Sequence, residues 1–177
     1  MLTDSQLQAI MPRIPKAKLS LYREHLVKAM EEAKINTKLR IAAFLGQLAL
    51  ESGELKYFVE IASGEAYEFK KRLGNVNPGD GPRYKGRGPI QLTGRANYKS
   101  AGTALGIDLE NNPERAADPD VAFRVAAWYW TSRKLNAKAD AGDYKGITKS
   151  INGACTDGPP SHYTRRLAYY EKALSVL

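Results

Sequence analysis

Apolar residues recur at helical spacing on both sides of one long stretch in which that periodicity fails. This division constrains the fold more than any other feature of the chain. The failing stretch culminates at 74–89, where five Gly and three Pro fall within sixteen residues. Before it, Leu19, Tyr22, Leu26, Met30 and Ala33 are three or four apart, which predicts one buried stripe on a helix over 16–34. Ile41, Phe44, Leu45 and Leu48 do the same for a helix over 38–52, capped by Asn36 or Thr37. The first residues carry a capping box, with Thr3 as cap, Gln6 at its third helical position, and Leu2 and Leu7 as the hydrophobic staple. Pro12 and Pro15 end that short helix.

After the break, helical pattern resumes at 93–105. Asp118-Pro119 then opens a helix with the stripe Val121, Val125, Trp128 and Tyr129, in which Trp128 reads as core and Trp130 as a cleft wall. Shorter helices are expected at 143–151 and 161–174, the last with Tyr163, Leu167, Tyr170 and Leu174 on one face. Period-two pattern is weak, so at most a small β-hairpin fits within 57–89. The expected fold is mainly α, a single domain over residues 1–177. A loop as long as 74–89 in so small a domain reads as functional.

Composition narrows the function classes. At 43% hydrophobic and 26% charged, the chain is ordinary globular material. A single cysteine, Cys155, gives no intramolecular disulfide and reads as a free thiol in a loop. The longest nearly apolar stretch, 39–50, is interrupted by Arg40, Gly46 and Gln47, so no membrane insertion is expected. Asp4, Gln6 and Gln8 interrupt what a signal peptide needs, so synthesis in a cytoplasm is expected. The net charge of +8 asks for a polyanion: nucleic acid, an anionic membrane face or an acidic polymer. No cluster has metal-ligand spacing, and neither a metal nor another cofactor is expected.

One step beyond Leu48 on the apolar face of the 38–52 helix stands Glu51. Partial burial disfavours a charged carboxylate, and a carboxyl held protonated is what a general acid requires. A solvated Glu at a frayed helix end is the alternative, with Gly53 as stop signal. Glycoside hydrolysis needs a second carboxyl across the bond. Glu60 and Glu65 both qualify, because Tyr57-Phe58-Val59 can anchor the segment before the Ser63-Gly64 turn.

The run from Tyr84 through Lys85, Gly86, Arg87 and Gly88 to Gln91, Thr93, Asn97 and Tyr98 lacks the spacing of a nucleotide-binding loop. It offers close backbone approach at two glycines, then neutral amides and a hydroxyl beside aromatics, which suits a sugar. A turn with a polar cap explains the same composition.

These residues resemble glycoside hydrolase family 19, the chitinase-like lysozymes. The run 84–93 with Asn97-Tyr98 is similar to that family's signature, and 41–47 leading into Glu51-Ser52-Gly53 to its catalytic helix. Ile151-Asn152-Gly153 and 166–170 also match, while Ser63-Gly64-Glu65-Ala66-Tyr67-Glu68 resembles the phage endolysin branch. The resemblance implies a lysozyme-like helical fold of two lobes around a substrate groove, with the helices of about 1–36 in its wall. It implies Glu51 as general acid, Glu60 as the base that activates water, with Glu65 as the alternate, and Thr93 holding that water. Tyr84, Arg87, Gln91, Asn97, Tyr98, Asn152 and Arg166 become substrate-binding residues, Arg166 also arranging the acid pair. The family inverts, which needs carboxyls roughly 6.5–9.5 Å apart.

One departure is Leu50, where the family commonly has His. The leading expectation is a monomeric endolysin that cuts the β-1,4 bonds of peptidoglycan glycan strands. It would wait in the host cytoplasm for a holin-type pore and then act at the cell wall. A chitinase and a lytic transglycosylase are the enzyme alternatives. A basic nucleic-acid-binding module is the distant one, disfavoured because the cations are scattered, densest at Lys16, Lys18, Arg23, Lys28, Lys34, Lys38 and Arg40.

Overall fold

The computed structural model describes residues 2–158 and 162–177 and is mainly helical. The helices are α1 (Asp4–Ile10), α2 (Leu19–Glu32), α3 (Lys38–Glu51), α4 (Asp80–Arg83), α5 (Arg95–Leu105), α6 (Pro119–Ser132), α7 (Leu135–Asp140), α8 (Tyr144–Asn152) and α9 (Tyr163–Val176). The capping box at Thr3 forms, with Gln6 N–H donating to Thr3 Oγ1 and Thr3 N–H to Gln6 Oε1. Leu2 and Leu7 beneath it are both buried. Thr37, not Asn36, caps α3 by accepting from Arg40 N–H.

Helix α3 is the centre of the molecule. Every residue from Ala42 to Ala49 is buried, as befits a helix apolar on nearly all sides. Each fully buried Leu or Phe here contributes roughly 1.5–3 kcal/mol by leaving water. Against α9 the approach is close, because Gly46 has no side chain. A Cβ there would lie 2.6 Å from Tyr144 Oη and 3.1 Å from the Tyr170 nitrogen. On the other side, Tyr22 of α2 stacks on Phe58 at 4.9 Å, and Phe58 meets Phe123 of α6 edge-on. Phe58 thereby anchors the segment that carries Glu60, while its neighbours Tyr57 and Val59 stay exposed.

Several expectations need correction. Residues 16–18 form a 3₁₀ turn before α2, which ends at Glu32. Helix α5 begins at Arg95, because Gly94 (φ 92°) breaks the backbone after Thr93. No hairpin forms within 57–89; the pairing reduces to isolated antiparallel bridges, Val59 with Arg87 and Arg87 with Leu92. Neither Trp128 nor Trp130 takes its expected place, and neither lines the Glu51 cavity. Trp130 is the buried one, edge-on to Phe44 and donating to Asn136 Oδ1 at 2.8 Å, whereas Trp128 is half-buried beside Glu32 and Arg124. The 161–174 helix starts at Tyr163, and Ser161 lies outside the described residues.

The Gly/Pro-rich loop is built, not slack. The Asp80 carboxylate accepts from Val76 and Asn77 N–H and pairs with Arg95 at 2.6 Å. Glu68 accepts from Gly79 and Gly81 N–H, and Asn75 bridges Tyr67 O to Arg95 N–H. The carboxylates of Asp80 and Glu68 thus satisfy backbone donors that a ladder or helix would otherwise satisfy.

Candidate active site

Glu51 is the last residue of α3. Ser52 seals the helix end, donating to Leu48 O and accepting from Leu55 N–H, both at 2.7 Å. Gly53, Glu54 and Leu55 then take three successive left-handed conformations (φ 58°, 65° and 59°). For the two non-glycine residues this costs roughly 1–2 kcal/mol each. Burial of Leu55 and of the Glu54 carboxylate, which holds Arg13 and Tyr169, offsets that cost. The turn throws the chain sideways immediately after Glu51.

A chain of buried groups orients Glu51 from behind. Thr148 Oγ1 accepts from Gln47 Nε2 at 2.9 Å, and Gln47 Oε1 accepts from Arg166 Nη1 at 2.6 Å. Arg166 Nη2 then donates to Glu51 Oε1 at 2.6 Å. Arg166 and Gln47 are fully enclosed, while the Glu51 side chain is 18% exposed and reaches a cavity.

Glu60 is held by both oxygens. Tyr67 Oη donates to Oε1 at 2.8 Å and Gly86 N–H to Oε2 at 2.9 Å. Its own N–H donates to Gly86 O, tying the two segments together. Burial, and then the Glu60 carboxylate, push the Tyr67 phenol above its ordinary range, so it stays a donor.

The cavity is about 240 Å³ and joins Glu51 to Gln91, Thr93, Asn97, Tyr129 and Asn152. Thr93 Oγ1 donates to Gln91 O at 2.9 Å, and Asn97 Nδ2 to Thr93 O at 2.7 Å. The bond from Asn97 to the Thr93 carbonyl, not a shared helical face, keeps both on one wall, since α5 begins only at Arg95. Glu60 does not itself line this cavity. Its Oε2 and Gln91 Oε1 abut the same glycine, at 3.0 and 2.6 Å from where a Gly86 Cβ would stand.

Other expected residues serve different ends. Tyr84 and Tyr98 are buried inside the loop, donating to Glu110 O and Lys85 O, so neither offers a face to a sugar. Burial pushes the Tyr98 phenol up to about 12. Arg87 donates to Arg83 O and Tyr98 Oη and holds the loop instead of lining the cavity. Arg166 is a positioning residue for Glu51, with no exposed surface for substrate. Glu65 is exposed, begins a 3₁₀ turn and lies outside the cavity.

Residues absent from the expectation include Tyr67, Gln47, Thr148 and Arg133. Arg133 lines the cavity with its guanidinium 3.4 Å over the Tyr129 ring. Tyr129 itself turns from core stripe to cavity wall.

The sequence pattern of glycoside hydrolase family 19, chitinase class I, matches residues 29–145, more than half of the chain. The chain belongs to this family. The matched segment carries Glu51, Glu60, Gln91, Thr93 and Asn97; Asn152 and Arg166 lie beyond it. Among curated relatives, endochitinase EP3 of Arabidopsis thaliana is 36% identical over 140 residues, covering 76% of this chain and 50% of that protein. Chitinase 8 of Oryza sativa subsp. japonica is 34% identical over 159 residues, covering 77% and 60%. The chain thus spans about half to three fifths of these relatives. Among family 19 structures, chitinase C from Streptomyces griseus superposes with a TM-score of 0.81 at 28% identity, covering 98% of this chain and 91% of that one. The class IV chitinase from Zea mays gives 0.76 at 26%, covering 99% and 94%. The family's helical, lysozyme-like fold is therefore the fold of this chain.

Proposed function

We propose that this chain hydrolyses a β-1,4-linked polymer of N-acetylated amino sugars with inversion, Glu51 acting as general acid and Glu60 as general base. The observation that carries this reading is the contrast in how the two carboxyls are held. Arg166 fixes Glu51 by one oxygen, and its other oxygen has no hydrogen-bond partner among the described residues. Glu60 is fixed by both oxygens on a separate segment, across the Gly86–Gln91 edge.

Protonated Glu51 gives its proton to the glycosidic oxygen as the bond to the anomeric carbon breaks. A water on the opposite face attacks that carbon and passes its proton to Glu60. Thr93, Gln91 and Asn97 supply hydrogen bonds to the water and sugar. Tyr129, beneath Arg133, supplies an apolar edge. Tyr67 and the Gly86 N–H hold the Glu60 carboxyl in place before the water binds.

Two polymers share this backbone. The relatives are named as chitinases, which supports chitin as a substrate. The charge of +8 supports peptidoglycan, whose lactyl and peptide carboxylates would attract a basic enzyme. In that second reading the protein is a phage endolysin that reaches the wall through a holin-type pore.

The test is to digest hexameric N-acetylglucosamine and purified peptidoglycan in parallel and follow the new reducing ends by NMR. The α-anomer should appear first. A first-formed β-anomer would remove the inverting mechanism, and 1,6-anhydro ends would make the protein a transglycosylase. The ratio of the two turnover rates ranks the substrates.

A further inference from the structure

A second cavity, of about 530 Å³, shares no lining residue with the first and has no part in the chemistry above. It is lined by Arg13, Pro15, Gly53, Lys56, Tyr57 and Arg165, three cations and no acid. Two of its walls are chain neighbours of Glu51 and of the arginine that positions it. Gly53 is two residues past Glu51, which puts its Cα within about 8 Å, and Arg165 immediately precedes Arg166.

The three cations differ in how they are held. Arg13 is clamped from below by a buried carboxylate. Glu54, 2% exposed, accepts from both the Arg13 backbone N–H and its Nε, while Tyr169 adds a further contact. Burial alone would push the Glu54 carboxyl up, but the bonds from Tyr169 and Arg13 outweigh it and hold it below the ordinary range. Glu54 is therefore an anion dedicated to fixing one cation on this wall. Lys56 and Arg165 have no anionic partner among the described residues. The Lys56 ammonium rests 5.2 Å from the centre of the exposed Tyr57 ring. Unpaired cations around a concavity with low-dielectric walls focus a positive field and concentrate anions. A neutral glycan has no use for such a place.

We propose that this cavity is a carboxylate-binding subsite, which receives the peptide borne by an amino-sugar glycan whose backbone lies in the neighbouring cleft. Arg13 and Arg165 present planar guanidinium groups suited to a carboxylate. Lys56 adds a point charge, and the Tyr57 ring covers the apolar side of a short peptide. The inference rests on the peptidoglycan reading of the cleft and names the part of that polymer that chitin lacks.

The test uses the full chain carrying Glu60→Gln, so that binding is read without turnover. Calorimetry compares a disaccharide–peptide fragment of peptidoglycan, the same disaccharide with its lactyl carboxyl capped as a methylamide in place of the peptide, and chitotetraose. Adding Lys56→Ala with Arg165→Ala should weaken the peptide-bearing fragment at least tenfold and leave the two neutral-backbone ligands within twofold. Lys28→Ala with Lys38→Ala removes the same charge elsewhere on the surface and should change none of the three. Thermal unfolding checks that each variant is folded.

Equal affinity of the parent for the fragments with and without peptide overturns the proposal. So does a loss shared by all three ligands, or one reproduced by the Lys28/Lys38 control. A chain that binds the peptide through these cations yet cleaves no glycan refutes the hydrolase reading alone.

Discussion

Arg166 and Glu51 are 115 positions apart in sequence and joined at 2.6 Å, and the guanidinium that makes this bond also holds Gln47. One enclosed cation therefore orients the carboxyl that faces the cavity. Arg166→Ala would leave the enclosed Gln47 oxygen and the Glu51 carboxyl without their donor. The expected losses are about 3 kcal/mol of stability and at least a hundredfold in kcat. Arg166→Lys keeps the charge but cannot reach both acceptors. It should retain most of the stability and still lose more than tenfold in kcat. Thermal unfolding and steady-state turnover of the two variants check this; a fully active lysine variant would mean that only charge matters.

Tyr67 contributes a single hydroxyl to Glu60. In Tyr67→Phe the second bond, from Gly86 N–H, remains, so the carboxylate stays near its place but is free to rotate about it. We expect kcat to fall about tenfold with KM unchanged, and stability to change by no more than about 1 kcal/mol. A change confined to KM would place Tyr67 in substrate binding instead.

Gly86 tests the same corner by addition. An alanine Cβ would stand 2.6 Å from Gln91 Oε1 and 3.0 Å from Glu60 Oε2, both ends of flexible side chains. The fold can yield by swinging those two groups aside, at a cost of about 1 kcal/mol. Catalysis cannot, because both groups leave the positions the reaction uses. Gly86→Ala should therefore unfold within a few degrees of the parent and lose at least a hundredfold in kcat/KM. Loss of cooperative unfolding in place of activity would show that the loop, and not the site, depends on this glycine.

What could be read in the sequence divides by range. Helix α3 and the position of Glu51 follow from spacing within one helix, whereas the choice of Thr37 over Asn36 as cap and the contact of Asn97 with Thr93 need the folded backbone. Tyr84 and Tyr98 depart from expectation because an aromatic in a glycine-rich loop looks the same in sequence whether it meets a sugar or fills the loop's own small core. Only the distant Glu110 carbonyl settles the matter for Tyr84. Helix α6 is buried on more than one side, so a single stripe does not select Trp130 over Trp128 as the inward residue. No local pattern links Arg166 to Glu51; only the family resemblance sets it beside the acids. Tyr67 carried no pattern of its own at all, since a phenol seven residues from its carboxylate shares neither a helix nor a strand with it.

Asp80 gives the chain a defined response to acid. Its carboxylate is buried, bonded to two backbone N–H groups and to both sides of the Arg95 fork. The Arg95 guanidinium, aided by those amides, outweighs burial and holds the carboxyl below its ordinary range. A depressed folded-state value means that the stabilisation is complete above the ordinary Asp range, near about 3.9, and is lost as pH falls below it toward the folded value. Asp80→Asn should thus be less stable than the parent by about 2 kcal/mol at neutral pH, because Arg95 loses a charged partner. The gap should narrow steadily below about pH 4, as the parent takes up the proton that the variant never needs. Urea unfolding at a series of pH values measures it directly. A gap that stays constant down to the acid limit would show that Asp80 acts by shape and hydrogen bonding alone, without its charge.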